Sequence, residues 1–335
     1  MPRIAVVGAG GLVGRRVVAA LSKKGIKDLE LTVTGRGKSV GVSLDFGGST
    51  AVIEETSMTK LKKMDAVVLC TPTEASREIV RELMGGPLLI DTSSAFRMDP
   101  EVPLVVPEVN PEDLRRHKGL IAGPNCSTIQ LVVALNPLKS RYGLARVHVS
   151  TYQAVSGVGY QAMMQLRDES LRKLSPGFSS EEEYESQFPH PIGFNLIPQI
   201  DSFLEGGYTK EEMKMVNETR KIMKLPDLPM SCTCVRVPVF IGHSESCLVE
   251  TMEKADVDEV RAVLKGAPSV KVLDEPSERV YPMPIDAEDT EDVYVGRIRR
   301  DLSSDRGILM WVVADNLLRG AATNACNILR SLVEG

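Results

Sequence analysis

The sequence predicts an α/β protein of two domains, and three observations carry the prediction. The chain has 335 residues, about twice a common domain size. Its first 125 residues alternate short β-like runs with helical periods, the pattern of βαβ units and a parallel sheet. A glycine-rich loop lies between the first such run and the first helical period.

In chain order, Ile4–Val7 reads as the first strand. Leu12–Lys24 reads as a helix with Val13, Val17, Ala20 and Leu21 on one face and Gly25 as its C′ residue. Leu29–Val33, Ala66–Cys70, Leu88–Asp91 and Leu104–Val106 follow as strands. In the second half, Val147–Ala154 and Thr233–Pro238 read as strands. Thr209–Leu225 reads as a helix opened by the capping box Thr209-Lys210-Glu211-Glu212. Ser175–His190 reads as a surface excursion, Asp274–Asp292 as an acidic loop, and Val312–Val333 as a long tail helix. There is no internal repeat and no low-complexity tract.

Composition narrows the function. Hydrophobic residues make up 43% and charged residues 25%, as in folded globular chains. The longest apolar runs, such as Ala66–Cys70 and Ile308–Ala314, are too short to cross a bilayer. No basic n-region with a long apolar stretch opens the chain, so a cytoplasmic protein is expected. With a net charge of −5 and 4% aromatic residues, neither nucleic acid nor membrane is an expected partner. The six cysteines, at 70, 126, 232, 234, 247 and 326, read as reduced thiols. Cys232, Cys234, His243 and Cys247 match no common zinc spacing, and no metal is expected.

Gly8-Ala9-Gly10-Gly11-Leu12-Val13-Gly14 joins the first strand to the first helix. Glycines there let the backbone approach a pyrophosphate, which the helix N-terminus attracts. The bland alternative is a tight turn without a ligand. An NAD site places an acid at the end of the second strand. Here Thr34-Gly35-Arg36-Gly37-Lys38-Ser39 has two cations and no acid, which favours a 2′-phosphate and hence NADP. The N-terminal domain is thus Rossmann-like.

Gly123-Pro124-Asn125-Cys126-Ser127-Thr128 precedes an apolar run, so Cys126 falls at a helix start. A thiol there gains thiolate character from the macrodipole, although a small buried cysteine at a cap would read the same. Of the four histidines, His117, His148 and His190 default to structure or surface. His243 follows Gly242 at the end of an apolar run, where a side chain can face a cleft and serve a thiol as acid–base partner. Arg236 and His243 are seven residues apart in sequence, so for both to reach one small molecule the chain must bend at Pro238 or Gly242.

Together these residues closely resemble the bacterial-type aspartate-semialdehyde dehydrogenases over nearly the whole chain. The matching blocks are the glycine loop, Ser93–Arg97, Gly123–Thr128, Thr151–Gly157, Phe194–Asp201, Glu211–Lys214, Arg236–Ser246 and Trp311–Asn324. The resemblance implies NADPH-dependent conversion of L-aspartyl-4-phosphate to aspartate semialdehyde and phosphate, in the biosynthesis of lysine and diaminopimelate, threonine, methionine and isoleucine. It makes Cys126 the nucleophile and His243 the acid–base, with Gln153 orienting the acyl group and Asn125 beside it. Arg97 and Lys214 would hold phosphate, and Arg236 and Glu211 the substrate's carboxylate and amino group. NADP would meet Gly8, Gly10, Gly11, Leu12, Val13, Arg36, Gly37, Lys38, Ser156, Gly157 and Asn316. The turn Thr34–Gly37 departs from the family's usual Ser-x-Arg-Ser, losing a hydroxyl and gaining Lys38 next in the chain. The implied fold is an NADP-binding domain, 1–127, completed by a C-terminal helix, 314–335, with an α/β catalytic and dimerisation domain, 128–313, in a homodimer or homotetramer. Two readings compete: an N-acetyl-glutamyl-phosphate reductase, against which Glu211 speaks as a partner for a free amine, and a non-catalytic NADPH-binding scaffold, which would have no need of Cys126 and His243 together.

Overall fold

The computed structural model describes residues 1–23, 29–175 and 186–333. The strands in chain order are β1 (Arg3–Val7), β2 (Glu30–Gly35), β3 (Ser43–Phe46), β4 (Ser49–Val52), β5 (Glu54–Glu55), β6 (Ala66–Leu69), β7 (Leu88–Asp91), β8 (Leu120–Ala122), β9 (Leu144–Gln153), β10 (Met230–Arg236), β11 (His243–Thr251), β12 (Val270–Val272), β13 (Val293–Arg300) and β14 (Gly307–Ala314). The helices are α1 (Leu12–Lys23), α2 (Met58–Leu61), α3 (Thr73–Leu83), α4 (Cys126–Tyr142), α5 (Tyr160–Leu174), α6 (Lys210–Met223), α7 (Val257–Lys265), α8 (Pro284–Ala287) and α9 (Asn324–Val333). The chain divides into two compact units, one of Met1–Val133, Asn217–Pro226 and Leu317–Gly335, the other of Ala134–Val216 and Asp227–Asn316. Among the described residues no helix is long and apolar enough to cross a membrane.

The first unit is built on a six-stranded sheet in the order β5-β2-β1-β6-β7-β8, parallel throughout. Its inner strands read as continuous apolar runs because both faces are covered: every residue of β6 is buried, as are the last four of β1. Val17 and Leu21 of α1 and Ile328 and Leu329 of α9 share one apolar core with Ile4, Val6 and Ile121 of the sheet. Gly8 and Gly14 permit the approach of helix to strand. Gly8 has φ +80°, and a Cβ on Gly14 would lie 2.3 Å from the Gly8 carbonyl oxygen.

The second unit carries a mixed six-stranded sheet in the order β10-β9-β11-β14-β13-β12. β10 runs parallel to β9, and β11 antiparallel to both β9 and β14. β9 alternates buried and more exposed residues along most of its length, as a strand with two unlike faces does. The capping box that opens α6 is present: the Thr209 N–H donates to Glu212 Oε2 at 2.7 Å, and the Glu212 N–H donates to Thr209 Oγ1 at 3.3 Å.

Two expected elements differ. Leu104–Val106 forms no strand and makes only a bridge, Leu104 to Ala122. Pro103 and Pro107 flank it and lack the N–H a ladder needs, and the Val106 N–H goes instead to Asn110 Oδ1 at 2.9 Å. The tail is not one helix from Val312. Val312, Val313 and Ala314 end β14, fully buried and paired with β11, where β-branched residues pack well. A π-helical turn, Leu318–Thr323, then precedes α9. The acidic stretch 274–292 is loop apart from a 3₁₀ turn and α8. The expected C′ residue Gly25, and residues 176–185 of the surface excursion, lie outside the described residues.

Gly14→Ala tests the loop geometry. The added methyl would meet the Gly8 oxygen at 2.3 Å and the Ala9 Cα at 2.7 Å, backbone atoms that cannot swing aside. The expected net loss is about 1–3 kcal/mol, despite the roughly 1 kcal/mol by which Ala is the better helix former. Thermal melts read it, and an unchanged midpoint would contradict the close approach.

Candidate active site

The first unit holds the glycine loop and the cysteine. The N–H groups of Gly8 and Ala9 both donate to the Thr34 carbonyl, at 2.9 and 3.0 Å, which ties the loop to the end of β2. Ser39 packs against Gly10 and Gly35: a Cβ on either would come within 2.5 Å of its side chain. Arg36, Gly37 and Lys38 are therefore held beside the loop, all exposed, on a 3₁₀ turn that begins at Gly37 with φ +59°. Gly11 is exposed and Leu12 and Val13 half-buried, at the N-terminus of α1. A bare glycine backbone at a helix start, with two cations and no carboxylate in 34–39, fits a dinucleotide with a phosphorylated ribose.

Cys126 is the first residue of α4 and is half-buried. Asn125 caps the helix: its Oδ1 accepts the Ser127 N–H at 2.9 Å and the Thr128 N–H at 3.4 Å. Those two amides are thus taken by the cap. Gly320, in the π-helical turn, lies against the cysteine, and a Cβ there would be 2.6 Å from Cys126 Cβ. Elsewhere burial pushes the Cys70 thiol up to about 12 and raises Cys247, while Cys234 and then burial raise Cys232. Cys232 and Cys234 lie on one strand face with sulfurs 3.5 Å apart.

Arg97, also in this unit, is nearly buried. Its Nε donates to the Ser93 carbonyl at 2.9 Å, its Nη2 to the Thr92 carbonyl at 3.0 Å and its Nη1 to Glu218 Oε1 at 3.1 Å. Glu218 belongs to no motif of the sequence. The signal was present: it falls at helical spacing between Met215 and Ile222, both buried, where an acid is out of place unless paired.

In the second unit the chain bends between Arg236 and His243 as expected, with Gly242 at φ +96°. Arg236 pairs with Gln153, and Ser244 with Tyr152, on opposite sides of β9. The backbone of one residue, Ala154, then meets both side chains. Arg236 Nη1 donates to the Ala154 carbonyl at 2.6 Å, and the Ala154 N–H donates to His243 Nδ1 at 3.0 Å. Since Nδ1 accepts, the proton of the neutral ring is assigned to Nε2. A Cβ on Gly157 would lie 3.2 Å from Arg236 Nη1 and 3.6 Å from His243 Nε2, so a glycine there keeps the space between them open. Ser156 and Asn316, both buried, bond each other, and Asn316 Oδ1 accepts the Gly242 N–H at 2.9 Å.

Glu211 and Lys214 stand in the first turns of α6, in the same unit. Glu211 Oε1 accepts from Gln153 Nε2 at 3.3 Å, and Glu211 Oε2 from Lys214 Nζ at 3.2 Å. Lys214 also donates to Asp201 at 2.9 Å. Burial opposes its charge, but Glu211 and Asp201 outweigh burial and hold Lys214 above its ordinary value. The site residues expected from the sequence thus fall into two sets. The first unit has the glycine loop, Arg36–Lys38, Arg97, Asn125 and Cys126; the second has Gln153, Ser156, Gly157, Glu211, Lys214, Arg236, His243 and Asn316.

Burial first, and the Arg236 charge second, hold His243 well below the usual 6.5. The unfolded chain takes up a proton below that pH which the folded chain refuses, so His243 makes the protein less stable as pH falls through 6.5. The slope from one such group is at most about 1.4 kcal/mol per pH unit. Denaturant melts between pH 7.5 and 5 should show a shallower acid loss for His243→Asn than for wild type. Equal slopes would place the ring's titration elsewhere.

The semialdehyde dehydrogenase NAD binding domain matches residues 3–117, and the semialdehyde dehydrogenase dimerisation domain matches 135–319. The aspartate-semialdehyde dehydrogenase of Aquifex aeolicus is 47% identical over 99% of this chain and 98% of its own. That of Bacillus subtilis is 44% identical over 98% and 96%. A crystal structure of aspartate-semialdehyde dehydrogenase II from Vibrio cholerae, complexed with ASA, superposes with a TM-score of 0.94 at 37% identity, covering 100% of this chain and 98% of that one. Full-length identity of this order, with both domain models in sequence, makes the chain a member of the aspartate-semialdehyde dehydrogenase family of oxidoreductases.

Proposed function

We propose that the chain reduces L-aspartyl-4-phosphate with NADPH to L-aspartate 4-semialdehyde and phosphate, through a thioester on Cys126. The observation that carries the mechanism is the placement of a half-buried thiol as the first residue of a capped helix, where the thiolate is favoured. The Cys126 sulfur attacks the acyl carbon, a C–S bond forms, and the C–O bond to phosphate breaks with its electron pair leaving on phosphate. NADPH, when bound, supplies the hydride that reduces the thioester carbonyl. Collapse of that tetrahedral centre returns the electron pair to the Cys126 sulfur and frees the aldehyde.

His243 is the acid–base residue and enters as a donor from Nε2, because its Nδ1 is occupied by the Ala154 N–H. Such a donor steadies a thiolate or a developing oxyanion. Gln153 orients the acyl group, and Asn125 holds the helix start in place. Arg97 and Lys214 bind the phosphate group. Arg236, with a planar fork, suits the substrate carboxylate, and Glu211 its ammonium. Ser127 and Thr128 amides serve the cap rather than the oxyanion. The nicotinamide dinucleotide lies on Gly8–Val13, with Arg36, Gly37 and Lys38 at its 2′-phosphate and Ser156, Gly157 and Asn316 in further contact. The dimerisation domain supports a homodimer or a homotetramer.

The test runs the reaction backwards: phosphate-dependent reduction of NADP with aspartate semialdehyde. Wild type should turn over, and Cys126→Ala should fall at least about a thousandfold while NADPH titrations give an unchanged affinity. A forward assay comparing aspartyl phosphate with N-acetyl-glutamyl phosphate decides between the two acyl-phosphate substrates, and preference for the acetylated one would overturn the aspartyl reading. Retained turnover in Cys126→Ala would remove the covalent mechanism.

Cofactor choice is tested separately. Wild type should prefer NADP to NAD. Neutralising Arg36 and Lys38 together should raise the KM for NADP at least tenfold and leave that for NAD within about twofold, since only the former carries the extra phosphate. Equal kinetics with both cofactors in wild type would contradict the assignment.

A further inference from the structure

We propose that Glu218 is a positioning residue for this reaction: its buried carboxylate holds the Arg97 guanidinium and the peptide that starts the Cys126 helix in one fixed arrangement. The proposal rests on the reading above, in which Cys126 is the nucleophile and Arg97 a phosphate ligand. Glu218 lies in the second half of α6 and is 1% exposed. Its two oxygens serve different clients. Oε1 accepts from Arg97 Nη1 at 3.1 Å, and Oε2 accepts from the Asn125 N–H at 2.7 Å. Asn125 is the cap whose side chain holds the Ser127 and Thr128 amides. A single carboxylate therefore fixes the residue before the thiol and the head of the arginine.

The next turn of α6 supports this arrangement. Lys221 donates to the carbonyls of Arg97, Asp99 and Val102 at 2.8, 2.7 and 2.9 Å. Glu218 thus holds the Arg97 head, and Lys221, three residues on, holds its backbone. Two further Arg97 donors, on Nε and Nη2, go to carbonyls of its own loop, and Glu218 is the carboxylate paired with it among the described residues. A guanidinium with little exposure needs a compensating charge to stay where it is before an anionic substrate arrives. The same negative charge sits one hydrogen bond from the start of α4, where it opposes formation of the thiolate. Glu218 therefore sets both the direction of Arg97 and the pH at which Cys126 becomes reactive.

The test uses E218Q and E218D in the full-length enzyme, with two readouts. The first is kcat in the phosphate-dependent reverse assay. The second is the pH profile of Cys126 alkylation by iodoacetamide without substrate, with the adduct located by mass spectrometry. E218Q keeps the shape but loses the charge and one acceptor. Its kcat should fall at least tenfold, and its alkylation profile should move down by about one pH unit, because removing a nearby anion favours the thiolate. E218D keeps the charge but is one methylene short of spanning both partners. Its profile should stay at the wild-type pH while kcat falls at least threefold. Leu329→Ala, a buried core change in the same unit, should lower the melting midpoint and leave the profile alone. A kcat within twofold of wild type in E218Q, or an unmoved profile, would reduce Glu218 to a structural ion pair. If E218Q does not fold, E218D decides, since a kcat within twofold of wild type overturns the positioning role. Failure of the nucleophile reading shows separately, as turnover retained by Cys126→Ser, and the alkylation profile does not depend on turnover.

Discussion

The first amides of an α-helix have no partner within the helix, and at α4 that general fact becomes a local constraint. The orphan donors at Ser127 and Thr128 are met by the side chain of Asn125. This commits Asn125 to the cap, and its own N–H then needs an acceptor, which Glu218 supplies. Once Glu218 is buried it needs a cation, and Arg97 is paired with it. The position of the thiol, the identity of the residue before it and the direction of the arginine follow from one chain of hydrogen-bond requirements. Gly320 completes it, because any side chain there would collide with Cys126.

The second unit solves a similar problem at one residue, Ala154. The Ala154 N–H and carbonyl, in successive peptides, come just after the last residue of β9, and the carbonyl also accepts the Gly157 N–H at 3.3 Å. Arg236 takes the carbonyl and His243 takes the N–H. Both side chains are placed by strands that pair with β9, so strand register decides which residues meet Ala154. The bond to Nδ1 also decides the tautomer of His243 and therefore which ring atom can give a proton. Buried beside Arg236, the ring stays neutral at the pH where a free histidine begins to charge.

Much of this was legible in the chain. The parallel sheet announced itself through apolar runs such as Ala66–Leu69, and the glycine loop through its place between a strand and a helix. The Thr209–Glu212 capping box and the helix start at Cys126 are local patterns, fixed by neighbours a few residues away, and both are present. The bend between Arg236 and His243 could be argued from distance alone. What escaped depends on partners distant in sequence. Val312 to Ala314 carry a helical period as well as a strand's composition, and only pairing with β11 selects the strand. The π-helical turn after it accommodates Gly320 against Cys126, far apart in sequence. Glu218 serves Arg97 and Asn125, 121 and 93 residues away, and no local pattern reports such a contact.

The two cations proposed to bind phosphate, Arg97 and Lys214, share a feature. Arg97 carries Glu218, and Lys214 carries Glu211 and Asp201. A partly buried cation with no counter-charge would be costly to keep folded, and a lysine would lose its proton rather than pay that desolvation. The carboxylates keep Lys214 charged and Arg97 in place. The same pairing weakens the attraction each cation exerts on an incoming phosphate, because part of its field is already cancelled. An enzyme that must release phosphate in one direction and bind it in the other is served by such moderated cations. Bare cations would hold the anion too tightly for turnover, and fully exposed ones would be screened by salt.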